Sequence, residues 1–173
     1  SIDGGPVASA RLDAMLAAIC HRGPDGNGRF ADAGVQLGHH RLSILDPTEA
    51  GAQPMERHGV VLVHNGEIYN YLELAGELRA KGYVISSDTD TEVILAAYDA
   101  WGLDAFARFN GMWAFALWDR RRRRLVLSRD RLGVKPLYYR LTPRTIAFAS
   151  EVPALVAADA LDDQDSWRPE PDL

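Results

Sequence analysis

Asn65 and Gly66 are the residues of this chain whose types and spacing point most directly to chemistry. An asparagine side-chain amide and the backbone N–H of the following glycine, held at the end of a strand, form two donors aimed at one developing negative oxygen, which is what acyl transfer needs. Asn-Gly is also a common turn, and on these two residues alone the plain turn is favoured. Arg41 sits among Val35, Leu37, Leu42 and Ile44, a segment that otherwise wants burial. Its guanidinium therefore needs an anionic partner, and the planar fork pairs best with a carboxylate, whether from a ligand or from a structural salt bridge. Asp90 follows Thr89, which is able to cap a helix. Asp90 is then left at the helix N-terminus, either to bind a cation or to serve as a second acid on the helix dipole.

The elements that must position these groups follow from the pattern around them. Val60, Val61, Leu62 and Val63 read as a buried strand, and Asn65-Gly66 is expected to break it just before a helix. That helix carries Tyr71, Leu74, Ala75 and Leu78 at helical spacing and closes on Gly82. Thr89 to Glu92 fits a capping box that opens a second helix through Val93, Ile94, Ala97, Tyr98 and Trp101 to Gly102. Met112 to Trp118 is apolar on both faces, so it should be a central strand between two layers. The arginines from Arg120 to Arg124 lie between that strand and Leu125 to Leu127, which makes them a solvated hairpin turn.

Nearer the start, Leu12, Met15, Leu16 and Ile19 mark an amphipathic helix ending near Cys20, with Cys20 expected on its apolar face as a small buried hydrophobe. His21 to Gly28 must be a loop, in which His21 and Arg22 meet either a ligand or the loop's own carbonyls. Val35 to Leu45 has strand character, so the adjacent His39 and His40 face opposite ways. With His64 they complete no metal set. Ser128 to Lys135 is a charged loop before strands at Leu137 to Tyr139 and Ile146 to Ala149, followed by a short helix around Val152 to Ala157.

With 173 residues and 47% hydrophobic content, the chain is long enough for one well-buried core. A formal net charge of −5 argues against general nucleic-acid binding. The single cysteine excludes an internal disulfide and fits a reducing cytoplasm, and no apolar run reaches membrane-spanning length. The opening S-I-D-G-G carries no Met and no signal-peptide character, so residues upstream are expected. The acidic, proline-bearing segment from residue 158 to 173 reads as the start of a linker.

Taken in order, the motifs HRGPDG at His21, GHHRLSILD at Gly38, QPM at Gln53, HNGEIYNY at His64, SDTDTEVIL at Ser87, FNGMWAFALWD at Phe109, SRDRLGVKPLYY at Ser128 and FASE at Phe148 resemble the N-terminal glutaminase domain of asparagine synthetase-like enzymes, the Ntn-type class II glutamine amidotransferases. The resemblance implies an α+β fold, a four-layer αββα sandwich of two antiparallel sheets between helix layers, over residues 1–157. It implies that Arg41 clamps the glutamine α-carboxylate with Leu42, Ser43, Ile44 and Leu45 lining the same site, and that Asn65 and Gly66 hold the oxyanion. It also implies that the backbone of Glu67 helps seat the substrate and that Asp90 holds the α-ammonium.

The family nucleophile is an N-terminal cysteine on a first strand of pattern C-G-I-x-G, which is not in this sequence, so the chain alone is expected not to hydrolyse glutamine. No cofactor is implied for this domain. The resemblance further implies a C-terminal synthetase domain, to which ATP and Mg²⁺ would belong, that amidates aspartate or a related carboxylate, and an association with further copies that is common in the family. Partners expected are glutamine and that domain, with no nucleic acid and no membrane. An alternative within the resemblance is a non-catalytic scaffold, as in β-lactam synthetase and lasso-peptide cyclases.

Overall fold

The computed structural model describes residues 1–2, 4–42 and 48–161. In chain order they form α1 (Ser9–Ala18), β1 (Gly26–Asp32), β2 (Val35–Arg41), β3 (Met55–Arg57), β4 (Val60–Ile68), α2 (Tyr71–Ala80), α3 (Asp90–Trp101), β5 (Gly111–Asp119), β6 (Arg124–Arg129), β7 (Tyr138–Leu141), β8 (Ile146–Ala149) and α4 (Val152–Asp159). The long strands β4 and β5 pair antiparallel at the centre of a sheet ordered β3-β4-β5-β6. Because alternate side chains leave a strand on opposite faces, this pair builds two cores at once. Val60, Leu62, Trp113, Phe115 and Leu117 pack on α2 and α3, with Leu74, Leu78, Ile94 and Ala97. Val61, Ala116 and Trp118 point the other way, against Leu37 of β2 and Phe148 of β8.

That second face is covered by two separate hairpins, β1-β2 and β7-β8, and α1 and α4 close the far side, touching each other and their hairpins. The four-layer αββα order expected from the motifs is therefore present. The second sheet differs from the expectation in that its two hairpins are not hydrogen-bonded to one another among the described residues. Ser1 sits between their turns: its amine donates to the Gly34 carbonyl, and the Ile2 N–H donates to the Arg144 carbonyl at 2.7 Å.

Local signals hold at most boundaries. α2 ends as its glycine predicts, with Gly82 at φ +89° and the Tyr83 N–H donating to the Leu78 carbonyl at 3.0 Å. Thr89 caps α3 by accepting the Glu92 N–H at 3.2 Å. Only this half of the capping box forms, because the Glu92 carboxylate turns away to the N–H and hydroxyl groups of Ser86 and Ser87. Arg120 to Arg123 make the β5-β6 turn around Asp119, which is fully buried and accepts from the Tyr98 hydroxyl, the Arg121 and Arg122 N–H groups and the Arg122 guanidinium.

Two expectations near the start need correction. Cys20 is exposed, because α1 stops at Ala18 and the chain tightens into a 3₁₀ turn over Cys20–Arg22, which rotates the thiol off the apolar face. Among the described residues His21 and Arg22 bond not to their own loop's carbonyls but to Glu151, just ahead of α4, at 3.2 and 2.8 Å. The tether between the first loop and the last helix lies 129 residues apart in sequence, beyond what local reading detects.

The buried acids owe their charge to donors rather than to solvent. Burial alone would raise the Asp119 pKa, but the hydrogen bonds from Arg122, its backbone and Tyr98 outweigh it and lower the value. Burial likewise opposes ionisation of Asp130, and four backbone N–H groups, from Lys135, Val134, Trp113 and Leu132, reverse it. Histidines between the layers behave oppositely: burial lowers His64, and it lowers His39 to about 4, against the hydrogen bond to the His64 carbonyl.

Asp119→Ala should cost about 2 kcal/mol in urea unfolding, since it strands the buried Tyr98 hydroxyl and the turn donors, whereas Asp119→Asn, which keeps an acceptor, should cost less. For pH, the depressed histidines mean that between about pH 6.5 and 4 the unfolded chain binds protons that the native chain refuses, so stability falls on acidification through that window. The lowered carboxylates add their own loss only as pH drops below their unfolded values near 4. Urea midpoints should therefore decline from pH 7.5 to pH 5, and His39→Gln should flatten that decline; equal slopes in the two proteins would show that His39 is not its source.

Candidate functional site

A cavity of about 630 Å³ opens where the end of β2, residues Asn65 to Glu67 of β4 and the start of α3 meet, and it continues back between the two hairpins. Arg41, Leu42, Asn65, Gly66, Glu67 and Asp90 all line it. Ser43, Ile44 and Leu45 lie outside the described residues. Residues separated by as many as 49 positions along the chain are thus collected on one wall, and the collecting element is β4.

Asn65-Gly66 does not break its strand. β4 continues through both residues to Ile68, with Asn65 opposite Ala114 and Gly66 opposite Trp113. Glycine is what allows this: Gly66 has φ +150°, and a Cβ there would lie 2.1 Å from the Met112 carbonyl oxygen. The dipeptide that marks a turn in isolation is here a site of close strand approach. The Asn65 side chain is left with a buried Nδ2 that has no hydrogen-bond partner among the described residues. A buried donor of this kind costs about 1–3 kcal/mol, and it lies in the wall of a cavity large enough to hold the acceptor.

Asp90 is buried at the first turn of α3, where its Oδ2 accepts the Ile68 N–H at 2.8 Å and locks the helix to the end of β4. Its Oδ1 faces the Thr91 hydroxyl at 3.5 Å and His64 Nδ1 at 3.8 Å. Asp90 raises the His64 pKa, but burial acts more strongly and keeps the ring below its ordinary value. His64 is therefore neutral at pH 7, and its Nε2 is buried without a partner among the described residues. From β2, His39 Nε2 meets the His64 carbonyl at 3.2 Å, while His40 turns to the Leu16 carbonyl of α1 at 3.0 Å, the opposed orientation that a strand dictates. The His39 ring, neutral like His64, donates from Nε2, so its buried and unpartnered Nδ1 carries a lone pair.

Arg41 ends β2 with its guanidinium Nη1 donating to the Thr48 carbonyl at 2.8 Å. Leu42 beside it is exposed. The arrangement supplies a guanidinium, a buried carboxylate and an unsatisfied amide donor around one cavity, a set suited to a small molecule bearing a carboxylate, an ammonium and a polarisable carbonyl. Among the described residues there is no group of three or more His, Cys, Asp or Glu that could hold a metal ion, and no helix long and apolar enough to cross a membrane. Three residues of this wall, Gln53, His39 and His64, escape a reading of residue types. Their signal was present only as membership of the ordered motifs QPM, GHHRLSILD and HNGEIYNY.

Residues 2–167 match the glutamine amidotransferase domain family. Among similar proteins, asparagine synthetase [glutamine-hydrolyzing] 1 of Bacillus subtilis is 46% identical over 142 residues, which cover 81% of this chain and 22% of that protein. Asparagine synthetase [glutamine-hydrolyzing] 3 of the same organism is 39% identical over 150 residues, 84% of this chain and 24% of that protein. The chain thus spans about a quarter of the length of these relatives. In structure it is similar to glutamine phosphoribosylpyrophosphate amidotransferase from B. subtilis, with a TM-score of 0.74 at 20% identity, covering 90% of this chain and 42% of that one. That likeness concerns the fold, and it agrees with the layering of helices and antiparallel sheets described above. This chain belongs to the glutamine amidotransferase domain family.

Proposed function

We propose that this chain is the glutamine-binding part of a cytoplasmic, glutamine-hydrolysing amidotransferase of the asparagine synthetase type. The observation that carries the reading is the buried, unpartnered Asn65 Nδ2 in the same cavity wall as Arg41 and Asp90. Arg41 takes the α-carboxylate of glutamine, Asp90 takes the α-ammonium, and Leu42 to Leu45 with the backbone of Glu67 complete the seat. Asn65 Nδ2 and the Gly66 N–H receive the amide oxygen. Asp90 is suited to its role because its other oxygen is already tied to Ile68, so its position is set before substrate arrives.

In this reading a cysteine thiolate attacks the glutamine side-chain carbonyl carbon. Negative charge moves to the oxygen held by Asn65 and Gly66, and collapse of the tetrahedral species expels ammonia after its nitrogen is protonated. Water then releases glutamate from the thioester. We place the cysteine on a strand preceding Ser1. In support, the Ser1 amine donates to the Gly34 carbonyl at the β1-β2 turn and the Ile2 N–H to the Arg144 carbonyl at the β7-β8 turn, so a strand that leads into Ser1 would run antiparallel to β2 and β8. At about 3.3 Å per residue, five residues of the pattern C-G-I-x-G extend about 16 Å, which sets the cysteine level with the His39 to Arg41 end of β2. On this reading residues 1–157 are the amidotransferase domain and 158–173 lead to a synthetase domain that spends ATP, with Mg²⁺, to amidate aspartate or a related carboxylate.

In the full-length gene product, Asn65→Ala should lower kcat for glutamine hydrolysis about 10²-fold or more with little change in KM, because the lost donor acts on charge that develops in the transition state. Arg41→Ala and Asp90→Asn should each raise KM for glutamine at least about tenfold, as expected for lost contacts to the α-groups. Steady-state ammonia release measures all three; unchanged kinetics in the latter pair would remove the assigned clamp.

A further inference from the structure

The QPM segment leads directly to Gln53, which stands behind the candidate oxyanion donors without facing them as a donor itself. Gln53 Oε1 accepts the His64 backbone N–H at 2.6 Å, and its Nε2 reaches the Thr91 hydroxyl at 3.5 Å. One side chain therefore touches β4 at the residue immediately before Asn65 and α3 at the residue immediately after Asp90. The Gln53 backbone is held from the far side by β1, where a Cβ at Gly28 would lie 1.9 Å from the Gln53 carbonyl oxygen. The His64 peptide is gripped from two directions, since its carbonyl meets His39 Nε2 at 3.2 Å while its N–H is taken by Gln53.

We propose that Gln53 is a positioning residue that sets the distance between the Asn65 donor and the Asp90 carboxylate by bridging the His64 peptide and Thr91. The proposal rests on the functional reading above and deepens it. β4 is paired with β5 through this region, so its ladder fixes the strand within the sheet. The ladder does not fix how α3 sits against it. That relation rests on the apolar packing of Val93, Ile94 and Ala97 against Val60 and Leu62, and at the cavity end on polar contacts: Asp90 to Ile68, Thr91 and Asp90 to the His64 ring, and Gln53 to the His64 N–H and Thr91. The Asp90 to Ile68 contact holds the clamp for the α-ammonium by itself. Loss of the Gln53 contact leaves that clamp in place and removes the bridge that sets the His64 peptide, next to Asn65, at its distance from Thr91. The effect should fall on the transition state, where the oxyanion geometry matters to fractions of an ångström, and much less on ground-state binding.

The test compares Gln53→Met, which keeps the side-chain length but removes both polar atoms, with Gln53→Glu, which keeps an acceptor for the His64 N–H and a second oxygen to which the Thr91 hydroxyl can donate. In the full-length gene product, Gln53→Met is expected to lower kcat for glutamine hydrolysis about tenfold or more while KM stays within about threefold. Gln53→Glu is expected to recover most of that kcat. A parental kcat in Gln53→Met, a change confined to KM, or a Gln53→Glu protein no better than Gln53→Met overturns the proposal, and so does a kcat loss accompanied by a matching drop in thermal midpoint.

A second measurement separates this inference from the functional reading. In ¹⁵N-labelled protein the His64 backbone amide and the Asn65 side-chain amide should both shift in Gln53→Met and return in Gln53→Glu. Those shifts in a parent that lacks glutaminase activity would uphold the positioning contact and reject the functional reading. Unmoved Asn65 resonances in a parent that is active would reject the positioning contact alone.

Discussion

The pairing of β4 with β5 is the constraint on which the remainder of the molecule depends. Both strands are buried on both faces, and their partnership is unusually close at Gly66, where no side chain larger than hydrogen fits against the Met112 carbonyl. One face of the pair receives α2 and α3 and thereby Asp90; the other receives β2 and thereby His39 and Arg41. Asn65 lies at the point where these deliveries converge. A shift of one residue in the β4-β5 register would turn every side chain of the strand to the opposite layer, so the apolar pattern that builds two cores also dictates which residues reach the cavity.

Polar groups in this interior fall into two classes that differ in their hydrogen bonding. Asp119, Asp130 and Glu92 are surrounded by donors, mostly backbone N–H groups and hydroxyls, and their lowered pKa values follow from those donors overcoming burial. Each closes a turn or secures a helix start, so its full set of partners is a structural requirement. Asn65 Nδ2, His64 Nε2 and His39 Nδ1 are buried in the cavity wall without partners among the described residues. Native interiors satisfy their polar atoms with few exceptions, and a cluster of exceptions around one cavity marks the place where the fold holds hydrogen-bonding capacity in reserve.

Much of the architecture was legible from periodicity. The two-sided strand at Met112 to Trp118, the helix closed by Gly82, the Thr89 cap and the arginine turn all depend on interactions within a few residues, and all appear where the pattern places them. Errors arose where local grammar met a distant partner. Asn65-Gly66 looks like a turn until β5 is beside it, and Cys20 looks buried until the helix is seen to stop at Ala18. His21 and Arg22 find Glu151 only because α1 and α4 share a layer. The ordered motifs pointed to the family, yet they could not say why Gln53 stands among them.

What the amino-acid sequence determined by itself is therefore the set of elements, their apolar faces and the identity of the groups able to bind charge, because propensity, capping and hydrophobic period act over one or two turns of chain. The tertiary structure alone decided which polar atoms are left unpaired and where Arg41, Asn65 and Asp90 stand relative to one another. Those quantities depend on strand register, on the seating of α3 against β4 and on the removal of water from one cavity. Each is set by contacts between residues that are neighbours only after the layers have packed.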